Sequence, residues 1–441
     1  MSGRSNPHPS VEVSRLALPT FLVLSVLLAG CMVGPDYKRP PVVQPDHFKS
    51  SLKPARDDPE RAEGSQAATG DAPLMAAEWW RLYREPELDQ LIATANESNQ
   101  TLKQAVAAVD QARALARVAG SYRYPTISLN PSFARQRTSA TRASAATGQP
   151  VQSAATYNDW LVPLDLSYEI DVWGRVRRAL ESARAQAVAS ADDAAMVRLT
   201  VQTDVAQYYY AIRSLDAQTE ILEQTVVSYR EQVRLLSVQL KTGLVSAIVV
   251  HQAEAQLEAT LAQQRDVQRA RADQEHALAI LCGQPAPSFT LAANPLRETS
   301  PPDVPPGLPA TLLARRPDVA SAEQLVVAAN AQIGVATASF YPAFSLASTA
   351  GFESANLRNL FDWRSRIASI VPGVTLPIFQ GGRLKANLEA TKAQYRQTVA
   401  AYVNQVLIAY GDVEDALTDH HLEIREIPMN PNRLFELLHE S

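Results

Sequence analysis

The stretch from Val176 to Leu281 constrains the fold of this chain more than any other. It contains no proline, and its single glycine, Gly243, separates two runs that are free of helix breakers. At a rise of ~1.5 Å per residue, the first run alone extends roughly 100 Å as a helix, whereas an ordinary globular helix holds ~8–20 residues. The sequence therefore predicts a helical hairpin of unusual length, over residues 176–281, with Gly243 at its turn.

The N-terminus has the pattern of an export signal. Arg15 precedes the apolar run Leu16–Leu28, which is too short for a membrane span and ends in small residues. The ending LLAGC resembles a bacterial lipobox, in which the cysteine is acylated, and Met32 after it fits sorting to the outer membrane. We predict that residues 1–30 are the signal peptide, that Cys31 is the lipidation site, and that residues 31–77 are a lipid-anchored extended segment. A plain signal peptide with a coincidental cysteine is the alternative.

The composition argues against several classes of function. A net charge of −5 and a pI of about 5.9 give no reason to expect nucleic-acid binding. Cys282, the only other cysteine, lies in the apolar run AILCG and is predicted to be a buried structural residue. His420-His421 with Glu423 fits no standard metal-ligand spacing, and the chain carries neither a phosphate loop nor a nucleophile signature. We therefore expect no enzyme, no metal and no cofactor.

The chain contains two copies of one unit, a helix, a strand, a loop, a strand and a long helix. Tyr124-Pro125 recurs at an offset of 217 residues, and Gly174-Arg175 recurs at an offset of 208 as Gly382-Arg383. The first repeat covers residues 78–284, with strands at about 124–134 and 160–169. The predicted remainder is a connector (285–309), an incomplete second repeat (310–418) and a divergent tail (419–441).

Within these repeats, helices are predicted over Glu87–Ala119 and Ala310–Val335, and the strands of the second repeat over Phe340–Leu346 and Ile367–Phe379. The first strand alternates: Thr126, Ser128, Asn130 and Ser132 are separated by apolar residues and proline. Four strands cannot close a barrel, and an open edge in a membrane leaves N–H and C=O groups without partners. Three chains would supply twelve strands, which predicts a homotrimer whose polar strand faces line a wet lumen.

Several runs together resemble the TolC-like outer-membrane efflux proteins, in particular the NodT-type or OprM-like lipoprotein branch. They are LAGCMVGPDYKRP, WWRLYREPELDQLI, YPTISL, DVWGRVRRALESA, LLARRPDVASAEQ, LPIFQGGRLKANLEA and AYGDVEDAL. The resemblance implies a mainly α fold with a small β part. Its trimeric twelve-stranded β-barrel would lie in the outer membrane and continue as an α-helical barrel in the periplasm.

The resemblance also implies a function. Such a trimer is a passive exit duct for small molecules and drugs, working with a periplasmic membrane-fusion adaptor and an inner-membrane efflux pump. The hairpin tip docks the adaptor, which assigns this role here to Leu240, Thr242, Gly243 and Ser246. The expected location is the bacterial outer membrane, with the chain lipid-anchored and extending into the periplasm.

One departure from the family pattern leaves alternatives open. The offset of 208 puts the second hairpin tip beyond Ser441, and Pro428 and Pro431 fall where the first repeat is mid-helix. We expect a truncated, frameshifted or divergent C-terminus, so a non-functional truncated duct is one alternative. The other is a lipid-anchored periplasmic adaptor or coiled-coil scaffold, against which the duplicated unit argues.

Overall fold

The computed structural model describes residues 32–43, 45, 48, 78–140, 154–296 and 315–426, with side chains placed up to residue 419. The chain divides into two compact units. The sheet unit comprises Met1–Pro41, Gln111–Ala189 and Ala322–Asn404, and the hairpin unit comprises Val42–Asp110, Ser190–Ser321 and Gln405–Ser441. The predicted signal peptide, Cys31, most of the segment 31–77 and the last part of the predicted tail lie outside the described residues.

Most of the described chain is helical, as the long runs without breakers predict. The helices are α1 (Pro86–Ser98), α2 (Gln100–Ser121), α3 (Arg175–Lys241), α4 (Ala247–Leu281), α5 (Pro317–Ala338) and α6 (Arg383–Glu426). Helices α3 and α4 form the predicted hairpin, and α6 extends beyond residue 418, where the repeat correspondence weakens. Among the described helices, none combines the length and the apolar composition that a membrane span requires.

The prediction of one helix over Glu87–Ala119 is wrong, because Asn99 divides it into α1 and α2. Asn99 is extended (φ −60°, ψ 126°), and its backbone N–H donates to the Ala95 carbonyl at the end of α1. Its side-chain oxygen accepts from the backbone N–H of Leu102, 2.9 Å away, which is the bond of a helix N-cap. Its side-chain amide also donates to the Leu281 carbonyl at 2.9 Å, which ties the break to the end of α4.

The strands form one antiparallel sheet. They are β1 (Thr126–Leu129), β2 (Ser132–Arg137), β3 (Thr156–Ile170), β4 (Ala343–Ser354) and β5 (Arg366–Thr375). The order is β1–β3–β4–β5. Strand β2 also pairs with β3 and continues the register of β1, so that β1 and β2 lie end to end along β3. All helices of the sheet unit adjoin one end of this sheet, so β2–β3 and β4–β5 are connected at the opposite end, which we call the loop end.

All four predicted strands differ in extent from the strands of the structure. The first predicted strand is interrupted at Asn130-Pro131, since proline has no N–H to donate. The strand predicted to begin at residue 160 begins at Thr156, and β4 continues past the predicted Leu346 to Ser354. The last strand ends at Thr375 rather than Phe379, because β4 begins at Ala343, opposite Thr375, and residues 376–379 therefore have no strand to pair with.

Glycines with positive φ begin the long helix of each repeat. Gly174 has φ +81° and Gly382 has φ +84°, a region that side chains with a Cβ rarely adopt. Gly174 and Gly382, which the offset of 208 makes equivalent in the sequence, therefore also share a backbone conformation.

The core of the hairpin unit lies where α1 packs against the middle of α3 and the end of α4. Its fully buried members are Leu88, Ile92 and Ala95 of α1, Val205 and Ile212 of α3, and Leu278 and Cys282. The Cys282 thiol is 3.8 Å from the Leu91 carbonyl, and burial raises its pKa to about 11. At neutral pH the thiol is protonated, which agrees with the predicted structural role.

A buried ionic network, here called the Arg213 network, attaches the segment 291–296 to the hairpin. Arg213 donates to Glu87, to Asp216 at 3.3 Å and to the Ala292 carbonyl at 2.7 Å. Arg271 donates to Asp216 at 2.6 Å, to Glu275 at 2.8 Å and to the Leu291 carbonyl at 2.8 Å. The side chains of Arg213 and Asp216 are each 3% exposed, so these charges depend on one another rather than on water.

Candidate functional site

The hairpin tip is a tight turn built on Gly243. The Leu244 N–H donates to the Gln239 carbonyl at 2.9 Å, and the Gly243 N–H donates to the Leu240 carbonyl at 3.0 Å. This pair of bonds is a Schellman motif with Gly243 at its left-handed position, φ +75°. A Cβ at Gly243 would meet no atom within 4 Å, so conformation rather than space requires glycine there.

The four predicted docking residues lie together at this tip. Leu240, Thr242, Gly243 and Ser246 are all exposed, although the Thr242 hydroxyl already donates to the Gln239 carbonyl at 2.9 Å. The sequence prediction omitted two apolar neighbours that are more exposed than Leu240. Leu244 is 76% exposed and Ile248 is 68% exposed, against 37% for Leu240. Their position beside the only glycine of the hairpin was the signal that could have identified them.

One face of the sheet is mainly polar and the other mainly apolar, although Leu161, Ile367 and Val371 lie on the polar face. The predicted polar residues Thr126, Ser128, Asn130 and Ser132 alternate with Ile127, Leu129 and Phe133, as expected. The continuous register places Asp165, Ser167, Ser345 and Thr349 on the polar face, and Leu164, Leu166, Phe344, Leu346, Ile370 and Val374 on the apolar face. Ile370 is 75% and Val374 is 64% exposed, so the apolar face is open on β5.

Asp165 is the centre of a polar row that crosses the sheet. Its two carboxylate oxygens accept from the Thr349 hydroxyl on β4, at 2.8 Å, and from the Asn130 side-chain amide next to β1, at 3.2 Å. The same amide donates to the Ser128 hydroxyl at 3.1 Å. A hydrogen-bonded row of this kind is suited to a surface in contact with water.

Residues 32–41, predicted to be an extended tether, are extended but held firmly against the sheet unit. The Val33 N–H donates to the Trp173 carbonyl at 3.0 Å, just after β3 ends. Met32 lies against Gly174, where an added Cβ would come within 2.7 Å of the Met32 Cγ. The residue that follows Cys31 is therefore fixed at the helix end of the sheet.

Charged pairs secure the rest of this segment. Arg178, whose side chain is 2% exposed, donates to Asp36 at 2.6 Å and to Glu181 at 2.8 Å. Glu323 on α5 accepts from Tyr37 at 3.0 Å and from Arg39 at 2.6 Å. Burial and the hydrogen bond to Glu323 raise the pKa of Tyr37, so its hydroxyl remains a donor at neutral pH.

The part of the chain that the structure describes contains no cluster of three or more His, Cys, Asp or Glu side chains that could hold a metal ion. The features that the described geometry presents are two surfaces, the hairpin tip and the two-faced sheet.

The sequence and the fold match a known family. Residues 91–284 and 308–427 match the family described as outer membrane efflux protein. The chain belongs to this family. It is 33% identical to the probable efflux pump outer membrane protein SepC of Pseudomonas putida, over 90% of this chain and 80% of that protein.

Solved structures agree with this assignment. A membrane protein from Pseudomonas aeruginosa matches with a TM-score of 0.78 and 29% identity, covering 90% of this chain and 85% of that one. The open state of the MtrE outer membrane channel of Neisseria gonorrhoeae matches with a TM-score of 0.72 and 27% identity, over 88% and 82% of the two chains. This efflux protein is thus an outer-membrane channel component of an efflux system, and its family is one of transport ducts, not of enzymes.

Proposed function

We propose that three copies of this efflux protein form a passive exit duct for small molecules across the outer membrane and the periplasm. The two-faced sheet with unpaired outer edges is the observation that carries the proposal. Strands β1 and β2 at one edge and β5 at the other lack outer partners among the described residues. Because β1 and β2 lie end to end along β3, each chain supplies four strand positions and three chains supply twelve. Twelve would satisfy these edges, with the Asp165 row toward the lumen and Ile370 and Val374 toward lipid.

The partners follow from the family and from the tip. The name of SepC places that relative in an efflux pump. By analogy, we assign this chain a periplasmic membrane-fusion adaptor and an inner-membrane pump as partners. The adaptor would dock on Leu240, Thr242, Gly243 and Ser246, together with the exposed apolar residues Leu244 and Ile248, because exposed apolar side chains next to a rigid turn are suited to a protein interface.

Cys31 is the proposed lipid attachment site. Met32 and Val33 are held at the helix end of the sheet, so an acyl chain on the preceding residue would lie where the sheet leaves the membrane on the periplasmic side. The adaptor or scaffold alternative is less well supported, since it does not account for a single sheet to which both repeats contribute strands.

The oligomer is the direct test of this function. Native electrophoresis of mildly solubilised outer membranes is expected to give a species of about three times the chain mass of 48.0 kDa, before detergent and lipid are counted. The purified species should conduct ions in planar bilayers. A strictly monomeric species would refute the duct. A trimer that never conducts would favour the non-functional truncated form.

Docking at the tip predicts a second result. Changing Leu244 and Ile248 together to aspartate should weaken binding of the adaptor by about 30-fold or more, since each is a candidate for the apolar centre of the interface. The matched control, Leu244→Met with Ile248→Val, keeps the surface apolar and should bind nearly as the parent does. Affinity measured by interferometry on the intact trimer decides between them; equal affinity in both variants would show that the adaptor docks elsewhere.

A further inference from the structure

Three arginines lie on the apolar face of the sheet at its loop end. On β2, Arg135 pairs with Asn158 and Arg137 with Thr156, and on β5, Arg366 pairs with Phe352. Side-chain alternation places all three on the face that carries Phe133, Trp160 and Ile370. We call Arg135, Arg137 and Arg366 the arginine rim.

The arginine rim is exposed, and in the described part of the chain none of its members forms an ion pair with a carboxylate. The Arg366 guanidinium lies 3.5 Å from the ring centroid of Trp363, which is itself 76% exposed. Cation–π contact leaves the N–H groups at the edge of the guanidinium able to bind an anion.

Aromatic side chains surround the arginine rim. Phe133 and Trp160 stack with ring centroids 4.3 Å apart, and Phe352 contacts Phe361 at 5.6 Å. Phe361 is 70% exposed in the loop between β4 and β5. Aromatic residues at the end of an apolar surface are typical of the level at which a membrane meets water.

At the loop end, the positive and the negative side chains lie on opposite faces of the sheet. The carboxylates Asp159 and Glu353 lie on the other face of the sheet from the arginine rim. Asp159 pairs with Ala134, and Glu353 pairs with Leu161, on the polar face. The apolar face thus carries positive charge without a negative neighbour on the same face of these strands. A guanidinium at the border of an apolar surface is stabilised by an anionic group at that level, and phosphate accepts from it in a bidentate geometry.

We propose that the arginine rim docks the phosphate groups of lipids in the outer leaflet of the outer membrane, specifically those of a phosphorylated glycolipid. The inference rests on the proposed function, which turns the apolar face toward lipid. The helix end of the sheet is the periplasmic end, so the loop end reaches the outer leaflet. The surrounding aromatic rings would lie at the boundary between acyl chains and headgroups.

The test is a titration of diphosphorylated lipid A into the intact trimer in detergent. Each arginine near a charged lipid surface contributes about fivefold in affinity. The variant with Arg135, Arg137 and Arg366 all changed to glutamine should therefore bind lipid A about 100-fold more weakly, if the three contributions add. The matched control changes Arg230, Arg265 and Arg396, exposed helix residues, to glutamine and should bind as the parent does.

Two further arms identify the ligand. Lipid A without its phosphates should bind the parent chain as weakly as the diphosphorylated lipid binds the rim variant, and inorganic phosphate should not compete at equal concentration. Equal affinity of parent and rim variant for lipid A would overturn the inference, as would full competition by free phosphate. Conductance of the parent trimer in planar bilayers is measured separately. If the parent conducts while the rim substitutions leave lipid A binding unchanged, only this inference is refuted. A parent chain that forms no duct refutes the proposed function.

Discussion

Replacing Arg213 by methionine is expected to loosen the attachment of the segment 291–296 to the hairpin and to cost about 3–5 kcal/mol of local stability. Methionine fills most of the space of the arginine stem but donates no hydrogen bond. Glu87 and the Ala292 carbonyl then lose their donor, and the buried Asp216 keeps only Arg271 and the Asn294 N–H. Amide exchange at Leu291, Asn294 and Leu296, measured on the trimer in detergent, should accelerate by about two to four orders of magnitude.

Arg234→Met is the matched control. Arg234 also pairs with a carboxylate on the same helix, Glu231, but both side chains are more than half exposed. Such a pair contributes only ~0–1 kcal/mol, so exchange at the three reporting amides should not change. If Arg213→Met left those amides as protected as in the parent, the Arg213 network would not be what attaches the segment 291–296 to the hairpin.

Changing Cys31 to serine is expected to abolish acylation of the chain. Serine cannot form the thioether to which the lipid is attached, so incorporation of radiolabelled palmitate should fall to background. Cys282→Ser is the matched control, because it removes the only other sulfhydryl. Cys282 is fully buried and its thiol has a pKa of about 11, so labelling should persist at the level of the parent. Label retained in Cys31→Ser would locate the lipid on another residue.

The elements that follow from local backbone chemistry could be predicted from the sequence. Gly243 is the only breaker within the hairpin, and the repeat of Gly174 at Gly382 predicts both helix starts. The polar and apolar faces of β1 follow in the same way from strict alternation. In each case a single glycine, or the alternation of polar and apolar residues along a strand, determines the structure.

The features that the sequence prediction did not identify have a different physical origin. Asn99 lies in a run without glycine or proline, and its side chain both caps α2 through the Leu102 N–H and donates to the carbonyl of Leu281, far along the chain. The Arg213 network joins Glu87, Asp216, Arg271 and the segment 291–296, and nothing in their spacing shows that they meet. At the tip, Leu244 and Ile248 resemble ordinary hairpin residues until their exposure is measured. Contacts between distant segments determine the first two, and one sequence does not contain that information, whereas Leu244 and Ile248 could have been identified from their position beside Gly243.

The exposed apolar face of the sheet also limits how long a single chain can exist in water. Ile370 and Val374 are 75% and 64% exposed, and β5 presents an open edge with no strand beside it in the described chain. Such an edge is a template for pairing with any other extended segment, including that of another newly exported chain. Biogenesis is therefore a competition between productive assembly and aggregation, in which export rate and periplasmic chaperone capacity determine the yield.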